Sequence, residues 1–196
     1  MARRLAAIMF TDLADYAAIA QVDENEAAQL VHEHERLVRP VLEARHGHRV
    51  RSIGDGRLIE FPDPLEAVEC AVEIQRRAYD RNLTEETRPL RLQVGIHLGE
   101  AERRGIGVLG DAVDIVSRIG PLVEPGGVCL TEPVYVQVRN KVRYQLERLG
   151  PRELKGSRAP IAVYRVVLPW VGRANPAGGT APAPSEEPPA PNTGPV

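Results

Sequence analysis

Two aspartates stand where the sequence predicts that strands end. Residues 5–10 form an apolar run that suits a buried strand, and Asp12 follows it. Asp55 lies between two glycines at the tip of a predicted hairpin formed by residues 48–53 and 57–61. We expect the first and second strands to be neighbours in the sheet, so that the carboxylates converge. Either aspartate alone is typical of a turn or helix cap, but the pair beside glycine backbone suits Mg²⁺ or Mn²⁺ carrying a nucleoside triphosphate.

The elements that position these aspartates follow from hydrophobic spacing. Helical periodicity predicts a helix from a cap at Asp23 to a stop at Gly47, and further helices over residues 65–83, 110–123 and 133–138. Alternation and short apolar runs predict strands over residues 91–98, 128–131, 144–149 and 161–167. The order β-α-β-β-α-β with an α-β extension predicts an α+β fold of the ferredoxin-like split βαβ type. In that arrangement two helices cover one face of an antiparallel-rich sheet.

Composition limits the domain count and the partners. The chain has 196 residues, 43% of them hydrophobic, which suits one well-cored domain. Its formal charge of -2 lacks the basic excess of nucleic-acid and anionic-membrane binders, so we expect neither partner. Cys70 and Cys129 lie far apart in apolar patterns and indicate buried thiols in a reducing, cytoplasmic compartment. From Ala174 onward, Pro, Ala, Gly, Ser and Glu dominate, which is typical of a disordered tail or linker.

Other chemical signals in the sequence are weaker. His32 and His34 are two residues apart on a predicted helix, and we expect both to be solvated rather than metal ligands. Residues 105–110 spell GxGxxG before a helix, but an antiparallel pattern precedes them instead of the strand that a dinucleotide-binding fold requires. We expect His97 to be an ordinary sheet residue.

Several collinear blocks together resemble one family. They are RRLAAIMFTDLADY, VRSIGDGRLIEF, VGIHLGE, GDAVDIVSRI, EPGGVCLTEPVYVQV and LGPRELKGSRAPIAVYRV, which span roughly residues 3–168. The chain resembles the catalytic domain of class III nucleotide cyclases, the adenylate/guanylate cyclase family, especially its bacterial soluble members. This likeness sets the domain boundaries that we predict, a cyclase catalytic domain over residues 1–168 and a Pro/Ala/Gly-rich tail or linker over residues 169–196.

The resemblance assigns roles to particular residues. It implies two ions of Mg²⁺ or Mn²⁺ per site, held by Asp12, Asp55 and the backbone of Leu13. Arg118 matches the arginine that stabilises the transition state, and Lys155 matches a triphosphate-binding lysine. In this family two antiparallel protomers share each site, so Arg118 would come from the protomer opposite the two aspartates.

Four matched positions depart from the family's usual residues. Arg51 replaces the lysine that reads adenine, and Gly107 replaces the second base-reading residue, which is Asp or Thr in adenylate cyclases. Asp114 replaces the asparagine that positions the ribose. Asp15 replaces a glycine of the phosphate loop, where the backbone amides of residues 15–17, which include Tyr16 and Ala17, form an anion-binding nest.

The sequence therefore predicts a cytoplasmic, homodimeric, metal-dependent nucleotide cyclase that converts a nucleoside triphosphate to a 3′,5′-cyclic nucleotide and pyrophosphate. ATP is the default substrate from the resemblance. GTP or a pyrimidine triphosphate stays open because Arg51 and Gly107 break the adenine pattern. The alternative is a catalytically weak or inactive module that binds nucleotide or only dimerises, which Asp15, Asp114 and Gly107 favour.

Overall fold

The computed structural model of the protein describes residues 3–85, 87–104, 107–109, 111–154 and 159–170. The strands are β1 (Arg3–Leu13), β2 (His48–Ile53), β3 (Gly56–Phe61), β4 (Leu92–Arg104), β5 (Gly107–Leu109), β6 (Val128–Thr131), β7 (Leu146–Arg152) and β8 (Ile161–Val166). The helices are α1 (Tyr16–Val22), α2 (Glu24–Ala44), α3 (Pro64–Thr84), α4 (Asp111–Ile119) and α5 (Glu132–Val138). The predicted α+β class is confirmed.

One mixed sheet organises these elements, in the order β2-β3-β1-β4-β6-β8-β7, with β5 paired to the end of β4. All described pairings are antiparallel except β4 with β6. The predicted hairpin of β2 and β3 is present. The expectation that the first two strands are neighbours is wrong, because β1 pairs with β3 and β4 while β2 lies at the edge. The aspartates are still brought together, since the turn that carries Asp55 leads directly into β3.

The alternation of β1 sends its side chains into two separate cores. Ala7 and Met9 join the larger core, which α2, α3 and α5 cover. Ala6, Ile8 and Phe10 point to the other face and pack against α4. This is the period-two pattern of a strand buried on both sides. The two predicted helices therefore do cover one face, and α4 covers part of the other.

Two helices differ from their predicted extents. The prediction missed α1, a seven-residue helix that precedes Asp23 and buries none of its residues. Asp23 caps α2 as predicted, because its Oδ1 accepts a hydrogen bond from the Glu26 backbone N–H at 3.0 Å. Helix α4 ends at Ile119, and a 3₁₀ turn over Gly120–Leu122 follows it.

The packed part of the chain reaches Trp170. Leu168 and Trp170 are buried in the larger core. The Trp170 ring lies 6.2 Å from the Tyr79 ring, and the Arg76 guanidinium lies 5.4 Å from its centre. Residues 171–196, which include most of the predicted tail, lie outside the described residues. Cys70 and Cys129 are free and buried, as predicted.

Candidate active site

Asp12 and Asp55 meet at one backbone amide. The Leu13 N–H lies 3.1 Å from Oδ1 of Asp12 and 3.1 Å from Oδ2 of Asp55, so both carboxylates accept a hydrogen bond from it. The strand register explains the meeting. Thr11 and Arg57 form the last pair between β1 and β3, and the two aspartates lie just beyond that pair. The predicted convergence of the carboxylates is therefore present, and it crosses 42 residues of sequence.

The electrostatics of this pair favour a cation. The pKa of Asp12 is raised from 3.8 to about 7, mainly by burial and then by the adjacent Asp55 carboxylate, against the opposing effects of the Leu13 amide and Arg57. Two carboxylates this close resist ionising together because each anion disfavours the other. A divalent cation offsets that repulsion, so the residues present fit Mg²⁺ or Mn²⁺.

The two carboxylates would be only part of the ligand set of such a cation, and the other ligands would be water and substrate phosphates. Among the described residues, no group of three or more His, Cys, Asp or Glu side chains converges as a metal-ligand set. Mg²⁺ usually takes one or two carboxylates together with water and substrate phosphates. A site with two carboxylates therefore suits a cation that arrives with a triphosphate.

Glycines shape the turn that carries Asp55. Gly54 has φ 61°, in the left-handed region that most side chains avoid. Gly56 lies under the Phe10 ring, where an added Cβ would come within 2.2 Å of a ring carbon. Asp55 therefore projects from a turn that closes tightly against β1.

Asp15 has a backbone conformation that favours glycine. Its φ of 63° and ψ of 15° lie in the left-handed region, which Asp tolerates better than most residues. Its exposed carboxylate lies 3.8 Å from the Arg91 guanidinium, and α1 begins at the next residue, Tyr16. Tyr16 is half-buried, whereas Ala17 is exposed. The backbone is therefore somewhat strained at Asp15, and its negative charge has a cationic neighbour.

The residues assigned to the base, ribose and transition state lie on other elements, namely β2, β5 and α4. Arg51 is exposed on β2 opposite Leu58, and the pairing of β2 with β3 shifts in register between Arg49 and Arg51. Gly107 begins β5 and pairs with the end of β4. These two residues line the edge of the fold rather than the carboxylate pair.

Asp114 and Arg118 lie one turn apart on α4, so they share a helix face. Asp114 is exposed, and Arg118 is half-buried, with no hydrogen-bond partner for its Nη1 in the described part of the chain. Among the described residues, no hydrogen bond or ion pair joins Arg51, Asp114 or Arg118 to the carboxylate pair within one chain. Lys155 lies outside the described residues.

Sequence reasoning missed three residues that surround the Asp55 turn. His34 is fully buried and not solvated, and a 3.0 Å hydrogen bond joins its Nε2 to Oγ1 of Thr11. Burial lowers the pKa of His34 to about 4, and nearby Arg57 contributes to the lowering, so the ring is neutral at pH 7. A signal existed, because His34 falls four residues from both Leu30 and Val38 on the apolar stripe of α2. The ion pair between Glu35 and Arg57 had no such signal. His97, by contrast, is a buried sheet residue as expected, with Nδ1 2.9 Å from Oγ1 of Thr131.

The fold and the carboxylate pair agree with a family comparison. The sequence profile of the adenylate and guanylate cyclase catalytic domain matches residues 3–167. The chain therefore belongs to this family, the class III nucleotide cyclases.

Individual relatives support that membership. The chain is 30% identical over 165 residues to putative adenylate cyclase 3 of Rhizobium meliloti. The aligned region covers 83% of this chain but only 28% of that relative. The crystal structure of an adenylate/guanylate cyclase/hydrolase from Silicibacter pomeroyi has a TM-score of 0.78 and 28% identity, covering 85% of this chain and 98% of its own. The guanylyl cyclase Cya2 shares the fold with a TM-score of 0.73 and 22% identity, over 84% of this chain and 92% of its own.

No helix within the described ranges combines the length and the apolar character needed to cross a bilayer.

Proposed function

We propose that this domain is a nucleotide cyclase that closes a nucleoside triphosphate into its 3′,5′-cyclic monophosphate and releases pyrophosphate. The observation that carries the proposal is the convergence of Asp12 and Asp55 on the Leu13 amide. In the reaction, the ribose 3′-oxygen loses its proton and forms a bond to the α-phosphorus, while the bond to pyrophosphate breaks. Membership of the cyclase family supports this reaction over other uses of a metal-bound triphosphate.

The carboxylate pair would hold the cations. Asp12 and Asp55 supply oxygen ligands, and the backbone of Leu13 supplies a third, for two ions of Mg²⁺ or Mn²⁺. When bound, such ions favour the ionised 3′-oxygen and offset charge on the α-phosphate and the leaving pyrophosphate. Asp12 would have to lose its proton to take part, which the cation itself promotes.

Helix α4 would supply the groups that face the reacting atoms. The guanidinium of Arg118 would donate hydrogen bonds to the charge that develops on the α-phosphate. Its unpartnered Nη1 supports this role, because a donor without a partner can bind an incoming phosphate without breaking another contact. Asp114, one turn earlier, would accept a hydrogen bond from a ribose hydroxyl.

Binding of the triphosphate would use the loop after β1. The backbone amides of Asp15, Tyr16 and Ala17 would contact the phosphates, together with Lys155. The left-handed conformation of Asp15 supports this assignment, because the loop keeps the glycine-like shape despite the substitution. The carboxylate of Asp15 opposes phosphate binding by like charge, and the nearby Arg91 moderates that effect.

The choice of base would fall to Arg51 and Gly107. ATP is the default substrate, and the Rhizobium meliloti relative carries the name of an adenylate cyclase. A guanidinium at position 51 presents a planar fork of donors that also suits the oxygen and ring nitrogen of guanine. GTP and the pyrimidine triphosphates therefore remain candidate substrates.

A homodimer would complete each site. Within one chain, Arg118 makes no described contact with the carboxylate pair. The carboxylates of one protomer and Arg118 of its partner would therefore meet across a two-fold axis. The pair of free, buried cysteines supports a reducing cytoplasmic compartment.

The experiment that tests the proposal is a turnover assay of the full chain with ATP, GTP, CTP and UTP in the presence of Mn²⁺. We expect one nucleotide to give a cyclic product and pyrophosphate in equal amounts, and Asp55→Ala to abolish both while the dimer persists. Binding of a nucleotide without any product would instead favour the regulatory binding module. If the protein neither binds nor turns over any of the four nucleotides, the proposal is refuted.

A further inference from the structure

A buried ion pair lies directly behind the turn that carries Asp55. Arg57 follows this turn on β3, and its side chain is only 7% exposed. Its Nη1 donates to the backbone carbonyl oxygens of Asp55 at 3.0 Å and of Gly56 at 3.1 Å. Its Nε donates to Oε2 of Glu35 on α2 at 2.8 Å. One guanidinium therefore joins the turn to a helix on the covered face of the sheet.

Glu35 also holds the other strand of the hairpin. Its Oε1 accepts hydrogen bonds from Arg49 on β2 and from Arg39 on its own helix. Arg49 in turn donates to Oγ of Ser52 at 3.1 Å. Burial by itself would raise the pKa of Glu35, but the hydrogen bonds from Arg57 and Arg39 lower it, so the carboxylate is ionised. We call Glu35, Arg49 and Arg57 the hairpin clamp.

Stability alone does not account well for this clamp. Burying an arginine and a glutamate costs desolvation energy, and apolar residues of similar size often serve a core equally well. The Asp55 turn gives a functional reason for the hairpin clamp. Asp55 lies between two glycines, which impose little conformational restraint, so a carboxylate there would otherwise lose freedom when it binds a cation.

We propose that Arg57 and Glu35 are positioning residues that hold the Asp55 turn in its cation-binding geometry. The inference rests on the proposed metal site. Arg57 would act through the carbonyls of the turn and not through contact with the ligand, and Glu35 would act by fixing the guanidinium. Residues that hold metal ligands in place without contacting the metal typically change the affinity of the site for the metal by about 10- to 100-fold.

The sign of the effect separates positioning from charge. Arg57 is a cation close to the carboxylates, and it lowers the pKa of Asp12. If charge were its only influence, removing it would increase the affinity for a second cation. If it positions the turn, removing it decreases that affinity. Arg57→Met therefore gives opposite outcomes under the two accounts.

A matched control, Arg81, pairs with a glutamate of the same helix, α2. Arg81 of α3 has a side chain that is only 10% exposed, pairs with Glu33 of α2, and donates to the backbone carbonyl of Arg88 at 2.8 Å. It thus resembles Arg57 in burial, partner and backbone contact, but it serves a different part of the fold. Arg81→Met should lower stability without altering the metal site.

The experiment measures Mn²⁺ binding to the full chain without nucleotide. The loss of the free-ion EPR signal reports the binding, and thermal unfolding is measured in parallel. We expect Arg57→Met to weaken Mn²⁺ binding by about tenfold or more, and Glu35→Gln, a milder change that preserves folding, to weaken it in the same direction. Arg81→Met should bind like the wild type.

Three results separate the failure of this inference from the failure of the proposed function. Unchanged or tighter Mn²⁺ binding in Arg57→Met and Glu35→Gln, with Asp55→Asn still losing it, would overturn the positioning role and leave the metal site intact. Equal weakening in Arg81→Met would likewise reduce the clamp to general stability. Wild-type binding in Asp55→Asn would overturn the metal site itself.

Discussion

Replacing Asp12 with asparagine should stabilise the metal-free protein at alkaline pH. The folded-state pKa of Asp12 is raised from 3.8 to about 7, first by burial and then by Asp55. Below pH 3.8 the carboxyl is protonated in the folded and unfolded states alike, so it costs nothing. As the pH rises towards 7, the unfolded chain releases this proton while the folded chain keeps it, and stability falls. Above pH 7 the full cost is present.

The size of this effect follows from the shift. About three pKa units correspond to ~4 kcal/mol for a fully desolvated group. Asp12 is only half-buried and solvent screens part of the interaction, so we expect about 1–2 kcal/mol. Asparagine resembles the protonated acid in shape and still donates a hydrogen bond towards Asp55. Asp12→Asn should therefore exceed the wild type in free energy of unfolding by about 1–2 kcal/mol at pH 8, with a smaller gain at pH 5.

Urea denaturation in EDTA at pH 5 and pH 8, at one fixed protein concentration, measures this difference. Glu43→Gln, a change at an exposed carboxylate of α2, serves as the control and should show no pH-dependent gain. Adding Mn²⁺ should reverse the order, because the ion stabilises the wild type and not the variant. If Asp12→Asn were destabilising at pH 8, or equally stabilising at both pH values, the electrostatic account of the site would be refuted.

Three further predictions concern turnover. Arg118→Ala should lower kcat by about 10²–10³-fold with little change in KM or Tm, because its Nη1 is hydrogen-bonded to no other described residue; a change confined to KM would contradict the transition-state role. Arg51→Lys should raise kcat/KM for ATP relative to GTP by about fivefold, the value of one hydrogen bond, and an unchanged ratio would remove Arg51 from the base pocket. Asp15→Gly should lower KM for the triphosphate by about fivefold in steady-state kinetics, since ~1 kcal/mol of repulsion disappears. A rise in KM would contradict this prediction, because it would mean that the carboxylate helps binding.

The elements of this fold could largely be predicted because hydrophobic spacing is a local signal. The cap at Asp23 and the hairpin around Asp55 lie where the sequence placed them. The neighbours of β1 could not be read in the same way, because strand order depends on pairing across distant segments. The missed helix α1 is only seven residues long, and although Tyr16 and Ile19 pack against the larger core, none of its residues is fully buried, so its periodic signal is weak.

The carboxylate pair was predictable from turn chemistry, but its support was not. Gly54 and Gly56 mark the Asp55 turn in the sequence, and a strand end marks Asp12. The hydrogen bond between Arg57 and Glu35 joins residues 22 apart on a strand and a helix, and no spacing rule connects them. The prediction that His34 is solvated is wrong, and its place on the apolar stripe of α2 was a signal for burial.

The central claim is that each active site combines Asp12 and Asp55 of one chain with Arg118 of another, and subunit mixing tests it most directly. Asp55→Ala and Arg118→Ala homodimers should each be inactive with the nucleotide that the wild type cyclises. After subunit exchange in an equal mixture, half of the dimers combine the two variants, and each such dimer holds one intact site. Activity should then recover to about a quarter of the wild-type value. A mixture that stays inactive after verified exchange would contradict the shared site.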